Sequence, residues 1–176
     1  FAERSFVDKD ILIIYIDGLI FGGYHVIAAV GVDSEGYKHV LGLAEGASEN
    51  AVVVKDLLED IVSRGVKAGR RRLFVIDGSK ALRNAIDAVF GKDNPVQRCR
   101  KHKIANVTEH LPREMKQQVC CVMRAAYRLG ADEGIRRLEQ QAGQLELLHP
   151  SAAASLREGL EETFTVNCIG LPSILA

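Results

Sequence analysis

Several common functional signatures are missing from this sequence, and each absence removes a class of protein. No G-x-G-x-x-G or G-x-x-x-x-G-K-[S/T] follows an apolar run, which argues against a dinucleotide fold or a P-loop. The four cysteines, Cys99, Cys120, Cys121 and Cys168, lack the spacing of a disulfide framework or of paired C-x-x-C zinc ligands, so reduced thiols are expected. The apolar runs fall well short of the roughly 20 residues that span a bilayer, and the amino end does not resemble a signal peptide. A soluble, cytoplasmic protein is the expectation, and Phe1 in place of an initiator methionine suggests a piece of a longer chain. Neither sign of charge is in excess: 23 Lys plus Arg balance 23 Asp plus Glu, so composition alone does not announce nucleic acid.

The 176 residues are 47% hydrophobic, enough for a real core in one domain with or without an appendage. Charge is less evenly spread than its total. Arg70, Arg71 and Arg72 form one basic run, and "QRCRKHK" places Arg98, Arg100, Lys101 and Lys103 together with no acid. Each run is either a phosphate-contacting patch or an ordinary solvated surface.

"ILIIYIDGLIF", Ile11 to Phe21, is β-branched and apolar and reads as a buried strand. "YHVIAAVGVD" and "YKHVLGLAEG" read as two more strands, separated by turns at Gly22-Gly23 and "DSEG", and short connections make the three an antiparallel meander. From Ser48, a candidate cap, Val52, Leu57, Leu58, Ile61 and Val62 recur at helical spacing until Gly65. "RRLFVIDG" is a fourth strand, and "SKALRNAIDAVFG" a helix between a Ser79 cap and Gly91. A brief strand at "PVQRC" leads into a helix from Arg100 to about Leu111. The order is βββαβαβα, an α/β mixed sheet, followed after Pro112 by helices near 113–129, 132–148 and 151–165. The helical connection between the third and fourth strands returns the chain parallel to a strand already laid down.

If the fourth strand lies beside the first, Asp17 and Asp77 reach the same edge of two neighbouring parallel strands. Carboxyl ends of such strands are where open α/β sheets bind ligands, and a glycine after each Asp allows a sharp exit or a close backbone approach. Two acids at that distance repel each other unless a cation sits between them. A hard divalent ion with oxygen ligands fits, and two such ions can clamp the attacking and leaving oxygens of a phosphoryl displacement. The plainer alternative is that each Asp caps the next helix or opens an Asx turn.

"YIDG", followed by "VIDGSKALRNAIDAVFGKDNPVQRCRKHKIANV", resembles the Mutator-type bacterial insertion-sequence transposases of the DDE class. "VGVDSEGYKHVLGLAEG" and "LREGLEETFTVNCIGLPSILA" extend the resemblance over nearly the whole chain. It implies a ribonuclease-H-like catalytic core over 1–111, with a helical insertion region over 112–176. It also implies DNA strand cleavage and strand transfer dependent on Mg²⁺ or Mn²⁺, with Asp17 and Asp77 as catalytic metal ligands and His102 near the scissile phosphate. Arg98, Arg100, Lys101 and Lys103 become DNA-backbone contacts, and the partners become element-end and target DNA and further copies of the chain. The third ligand, a glutamate, is expected beyond Ala176, leaving Glu158, Glu161 and Glu162 as surface acids of an insertion helix. Without it the chain should bind metal weakly and cleave nothing measurable. One departure from the family is "FGGY" after the first Asp-Gly, where relatives carry basic or polar residues, which implies a weaker grip on DNA.

Three rivals were weighed. Cys99 and His102 could be half a zinc site, with only His110 and Cys120 as a loose second pair. A haloacid-dehalogenase-type phosphatase needs a nucleophilic Asp two residues before its Asp-Gly, where this chain has Tyr15 and Val75. A transposase-derived DNA-binding or assembly module without activity stays open. His25, His39 and His149 read as ordinary surface or structural residues.

Overall fold

Alternate residues of the apolar runs enter a single core, and that period makes them strands. The structure, a computed structural model, describes residues 3–46, 50–171 and 175. Strands β1 (Ile11–Phe21), β2 (Tyr24–Asp33) and β3 (Lys38–Glu45) form the antiparallel meander. In β2 the buried Ile27, Ala29, Gly31 and Asp33 alternate with half-buried neighbours, as expected of strand side chains pointing to opposite faces. Helix α1 (Ala51–Ser63) crosses to β4 (Leu73–Ile76), and α2 (Lys80–Phe90) leads to β5 (Val96–Arg98). The sheet is mixed and five-stranded, in the order β3-β2-β1-β4-β5, with β4 parallel to β1.

Local chemistry sets the helix ends. The α1 cap is Asn50, whose side chain accepts from Val52 N and Val53 N at 3.1 and 3.4 Å. Ser48, the cap expected from the sequence, lies outside the described residues. Ser79 caps α2, accepting from Leu82 N at 3.4 Å, and Gly91 ends it. Val54, Leu57, Leu58 and Ile61 of α1 and Leu82, Ala85, Ile86 and Phe90 of α2 bury their apolar stripes in one cluster with Phe6, Ile14, Ile16, Ile27, Leu41, Phe74 and Ile76.

Contacts divide the chain into two units, Phe1–Val96 and Gln97–Ala176. The division falls earlier than the expected boundary at 111/112, because α3 (Arg100–Glu109) joins the helices that follow it. Its Val107, with Leu111 just beyond, belongs to the second core, and α3 packs on α4 (Arg113–Ala126) and α6 (Pro150–Arg157). Helix α5 (Ala131–Glu146) packs on α4 and α6 around Met123, Leu138, Leu145, Leu156 and Phe164.

The third helix expected after Pro112 is shorter than its apolar period suggested. It stops at Arg157, Glu158 turns extended, and Gly159 takes φ +60°. A 3-10 turn (Glu161–Phe164) and α7 (Thr165–Cys168) follow. Glu161 and Glu162 therefore sit on that turn rather than on an insertion helix. No described helix is long and apolar enough to cross a membrane.

Candidate active site

Asp17 and Asp77 are positioned by backbone register. Strand β1 pairs with β4 at Ile13↔Leu73, Ile14↔Phe74 and Tyr15↔Val75. Continued two residues past the last of these pairs, the register would bring Asp17, within β1, to the level of Asp77, the first residue after β4. Ile14 and Ile16, with Phe74 and Ile76, face the helix-covered core. Alternation puts Asp17 on the other face, with Ile13 and Tyr15, and both aspartates are half-buried.

The two Asp-Gly pairs differ in one respect that the sequence does not reveal. Asp77 is the first residue after β4, and Gly78 turns the chain with φ +100°, a conformation that excludes most side chains. Its Oδ1 accepts from Ser79 N at 2.8 Å, so Asp77 does open an Asx turn, which fixes the carboxylate at the start of α2. Asp17, by contrast, does not end its strand. Strand β1 continues through Gly18, paired with Ile27, to a hairpin tip at Phe21 and Tyr24. What ends near Asp17 is the pairing with β4. Phe21 and Tyr24 at the "FGGY" tip are 79% and 62% exposed, so the departure from the family pattern is an apolar tip in open view.

Two half-buried carboxylates on adjacent strands suit a hard divalent ion that keeps part of its water shell. Among the described residues no group of three or more His, Cys, Asp and Glu side chains gathers as a metal site. The same holds for Cys99, His102, His110 and Cys120 as zinc ligands.

His102 is half-buried on α3, in the helical unit. The basic run around it is not the solvent-facing patch that its spacing suggested. Arg98, Arg100 and Lys103 are buried, and only Lys101 is exposed. Gln97 Nε2 donates to Thr163 O at 2.8 Å while its Oε1 accepts from Val166 N at 3.0 Å. Arg98 donates to the Glu158 carbonyl at 2.8 Å and to its carboxylate at 2.9 Å. Arg100 Nε donates to Thr163 O at 2.8 Å, and its guanidinium lies 4.7 Å from the Tyr127 ring centroid and 5.3 Å from that of Phe164. Lys103 Nζ donates to the carbonyls of Ser155 and Glu158, closing the open end of α6. Burial pushes its ammonium down to about 8, helped by Arg98 and opposed by Glu158. These cations hold the turn after α6, and Gly159 has no side chain because a Cβ there would meet Arg98 Nη1 at 2.1 Å. The DNA-contact role expected of Arg98, Arg100 and Lys103 gives way to this clamp, since their donors engage carbonyls inside the unit.

The other basic run is likewise engaged. Arg70 pairs with Asp10 at 2.8 Å, Arg71 Nε donates to Asp93 O at 3.1 Å, and Arg72 is buried with its Nε donating to Arg70 O. His39, read as ordinary, has a partner: its Nε2 is 2.7 Å from Asp33 Oδ2. Arg4 donates to His39 Nδ1 at 3.3 Å, which assigns the ring proton to Nε2. Asp33 Oδ1 also accepts from Glu35 N and Tyr37 N, so the pair staples the β2–β3 turn.

Against this geometry stand the comparisons with known proteins. The profile described as "Transposase, Mutator family" matches residues 6–169, nearly the whole chain. The chain belongs to the Mutator family of transposases. Similar proteins include the transposase for insertion sequence element ISRM5 of Rhizobium meliloti, 30% identical over 141 residues, which are 80% of this chain and 35% of that protein. A probable insertion-sequence transposase of Corynebacterium diphtheriae is 29% identical over 140 residues, covering 74% of this chain and 39% of the relative. The transposase for IS6120 of Mycolicibacterium smegmatis is 25% identical over 171 residues, 92% of this chain and 51% of its own length. This Mutator-family chain thus spans between about a third and a half of the relatives it matches. The matched span includes both aspartates and the whole clamp.

Proposed function

We propose that this chain carries two of the three catalytic carboxylates of a DDE transposase on a ribonuclease-H-like sheet, acting in metal-dependent DNA cleavage and strand transfer. The observation that carries the reading is the parallel β1–β4 pairing, which runs to Tyr15↔Val75 and whose register, continued by two residues, leads to Asp17 and Asp77. The sheet order β3-β2-β1-β4-β5 and membership of a transposase family support it. Tyr15 and Val75 stand where a phosphatase of the Asp-x-Asp-Gly kind needs its nucleophile, which disfavours that rival.

In this reading Asp17 and Asp77 hold Mg²⁺ or Mn²⁺. When bound, the ion supplies Lewis acidity and lowers the pKa of the attacking water or hydroxyl. The protein's own part is placement. The hydrogen bond from Ser79 N holds one oxygen of Asp77, and the β1–β2 ladder holds Asp17, so the carboxylates are oriented before substrate arrives. Water then opens a phosphodiester at the element end, and the freed 3′-hydroxyl attacks target DNA in line. A further acid completes the ligand set, and copies of the chain assemble on paired ends.

The reading is tested first without catalysis. Titration of the chain into Mn²⁺, followed by the loss of the free-ion paramagnetic resonance signal, should show weak binding that Asp17→Asn and Asp77→Asn each abolish. In a protein that joins this chain to the third acid, either substitution should stop Mg²⁺-dependent nicking and leave DNA binding in place. Undiminished nicking in both variants overturns the enzymatic reading, and DNA binding without nicking by the unaltered protein would leave an assembly module.

A further inference from the structure

The clamp shares one member, Arg100, with a second group of cations whose other members are exposed. Arg100 and Lys101 of α3 and Arg124 and Arg128 at the end of α4 surround a surface cavity of about 330 Å³ floored by Ile104 and Tyr127. No acid lines it. Lys101, Arg124 and Arg128 are exposed and make no ion pair with a described residue. Elsewhere in the same unit Arg136 is paired with Glu133 at 2.6 Å and Arg157 with Glu146 at 2.9 Å, while Arg113 and Arg137 are exposed on single helix faces and line no such cavity.

An ordinary structural reason covers half of the cluster. Cations in the last turn of a helix meet its partial negative charge, which accounts for Arg124 and Arg128 beyond α4. That reason fails for Arg100 and Lys101. They open α3, where the helix end is partially positive and no acid in the first turn offsets them. Four cations from two helices thus line one concavity with no acid among them, a lining whose charge suits an anion.

We propose that this cavity binds the phosphodiester backbone of duplex DNA. The inference rests on the reading that the protein acts on DNA, and it moves the backbone contacts from the buried members of "QRCRKHK" to Lys101, Arg124 and Arg128. An arginine pair at i, i+4 offers planar donors that match phosphate oxygens, and Arg100, held by Thr163 and stacked on Tyr127, lends its charge without moving. Contacts to phosphate oxygens carry no sequence information, so the binding should be independent of sequence.

The test is the anisotropy of a short fluorescein-labelled duplex of arbitrary sequence, titrated with the chain over a salt series. Each phosphate contact contributes about 0.9 to the slope of log affinity against log salt, so Arg124→Gln/Arg128→Gln should lower the slope by about 2 and Lys101→Gln by about 1. Arg136→Gln, an equal charge change at a paired residue, should leave it nearly unchanged. All of these side chains are exposed, and far-UV circular dichroism checks that the helices persist. A slope that falls no further in the cavity variants than in Arg136→Gln overturns the proposal. So does loss of self-association with the duplex slope intact, which would assign the cavity to an acidic protein surface. Mn²⁺ binding in the same variants separates this inference from the catalytic reading. Retained Mn²⁺ binding with no effect on the slope removes the cavity alone, and a lowered slope without Mn²⁺ binding in the unaltered chain removes the two-aspartate site alone.

Discussion

The sheet unit positions its candidate catalytic residues with apolar packing and backbone ladders, whereas the helical unit runs Gln97, Arg98, Arg100 and Lys103 through its interior. In the first, Phe74 is fully buried with its ring centroid 5.2 Å from that of Phe90, under a strand whose neighbours place Asp77. In the second, side-chain donors reach the carbonyls of Tyr127, Ser155, Glu158 and Thr163, groups left over where helices end. The difference shows what each unit needs. A sheet satisfies most of its own backbone, leaving Arg72 and Asn94 to serve a few loop and helix-end carbonyls, while a bundle of short helices has many open ends and a buried Arg or Lys can satisfy several at once.

Substitutions should separate the two modes. Phe74→Ala is expected to have the largest effect, about 3–5 kcal/mol from lost burial plus a cavity, read in denaturant unfolding and in hydrogen exchange of β1 and β4. Arg100→Ala should follow at about 2–3 kcal/mol, because the Tyr127 carbonyl, Asn167 Oδ1 and, beside its bond from Gln97, the Thr163 carbonyl each lose a charged donor, with protection lost first around α6 and α7. If Arg100→Ala loosens the β1–β4 amides as much as its own unit, the contrast between the units fails.

Acid gives the smallest expected effect and sharpens the comparison. The hydrogen bond from His39 holds the Asp33 carboxyl below its ordinary 3.8, and that from Arg98 holds Glu158 below its ordinary 4.5. Groups depressed on folding contribute stability above the unfolded value and lose it as pH falls through the folded one. Below about pH 4, therefore, the β2–β3 turn and the end of α6 should both loosen, seen as shifts of the Tyr37 and Glu158 amide resonances. Asp33→Asn should remove the first change and leave the second.

Much of the sheet unit was legible in the sequence. Apolar runs of the right length, the Ser79 cap and Gly91 stop of α2, and two Asp-Gly pairs led to the antiparallel meander and to the arrangement with β4 beside β1, while the place of β5 at the sheet edge was not read. The strand Ile11–Phe21 was read with its observed bounds, and the misreading was local: it was expected buried throughout, whereas beyond Asp17 it is exposed, because pairing with β2 outlasts pairing with β4. The helical unit was less legible. A basic run looks the same in sequence whether it faces water or carbonyls 60 residues away, and Arg98 meets Glu158 across that distance. The break after Arg157 was hidden by an apolar period that continues through Leu160 and Phe164, and only Gly159 offered a signal. Arg124 and Arg128 were overlooked because they become a cluster only when α4 lies beside α3.

The central claim is that Asp17 and Asp77 act as one site. Paramagnetic broadening of backbone amide resonances by substoichiometric Mn²⁺ tests it most directly. The account predicts broadening centred jointly on the residues around Asp17 and Asp77, and its loss at both places when either aspartate becomes asparagine. Broadening that persists around Asp77 in Asp17→Asn, or that centres elsewhere in the chain, would contradict it.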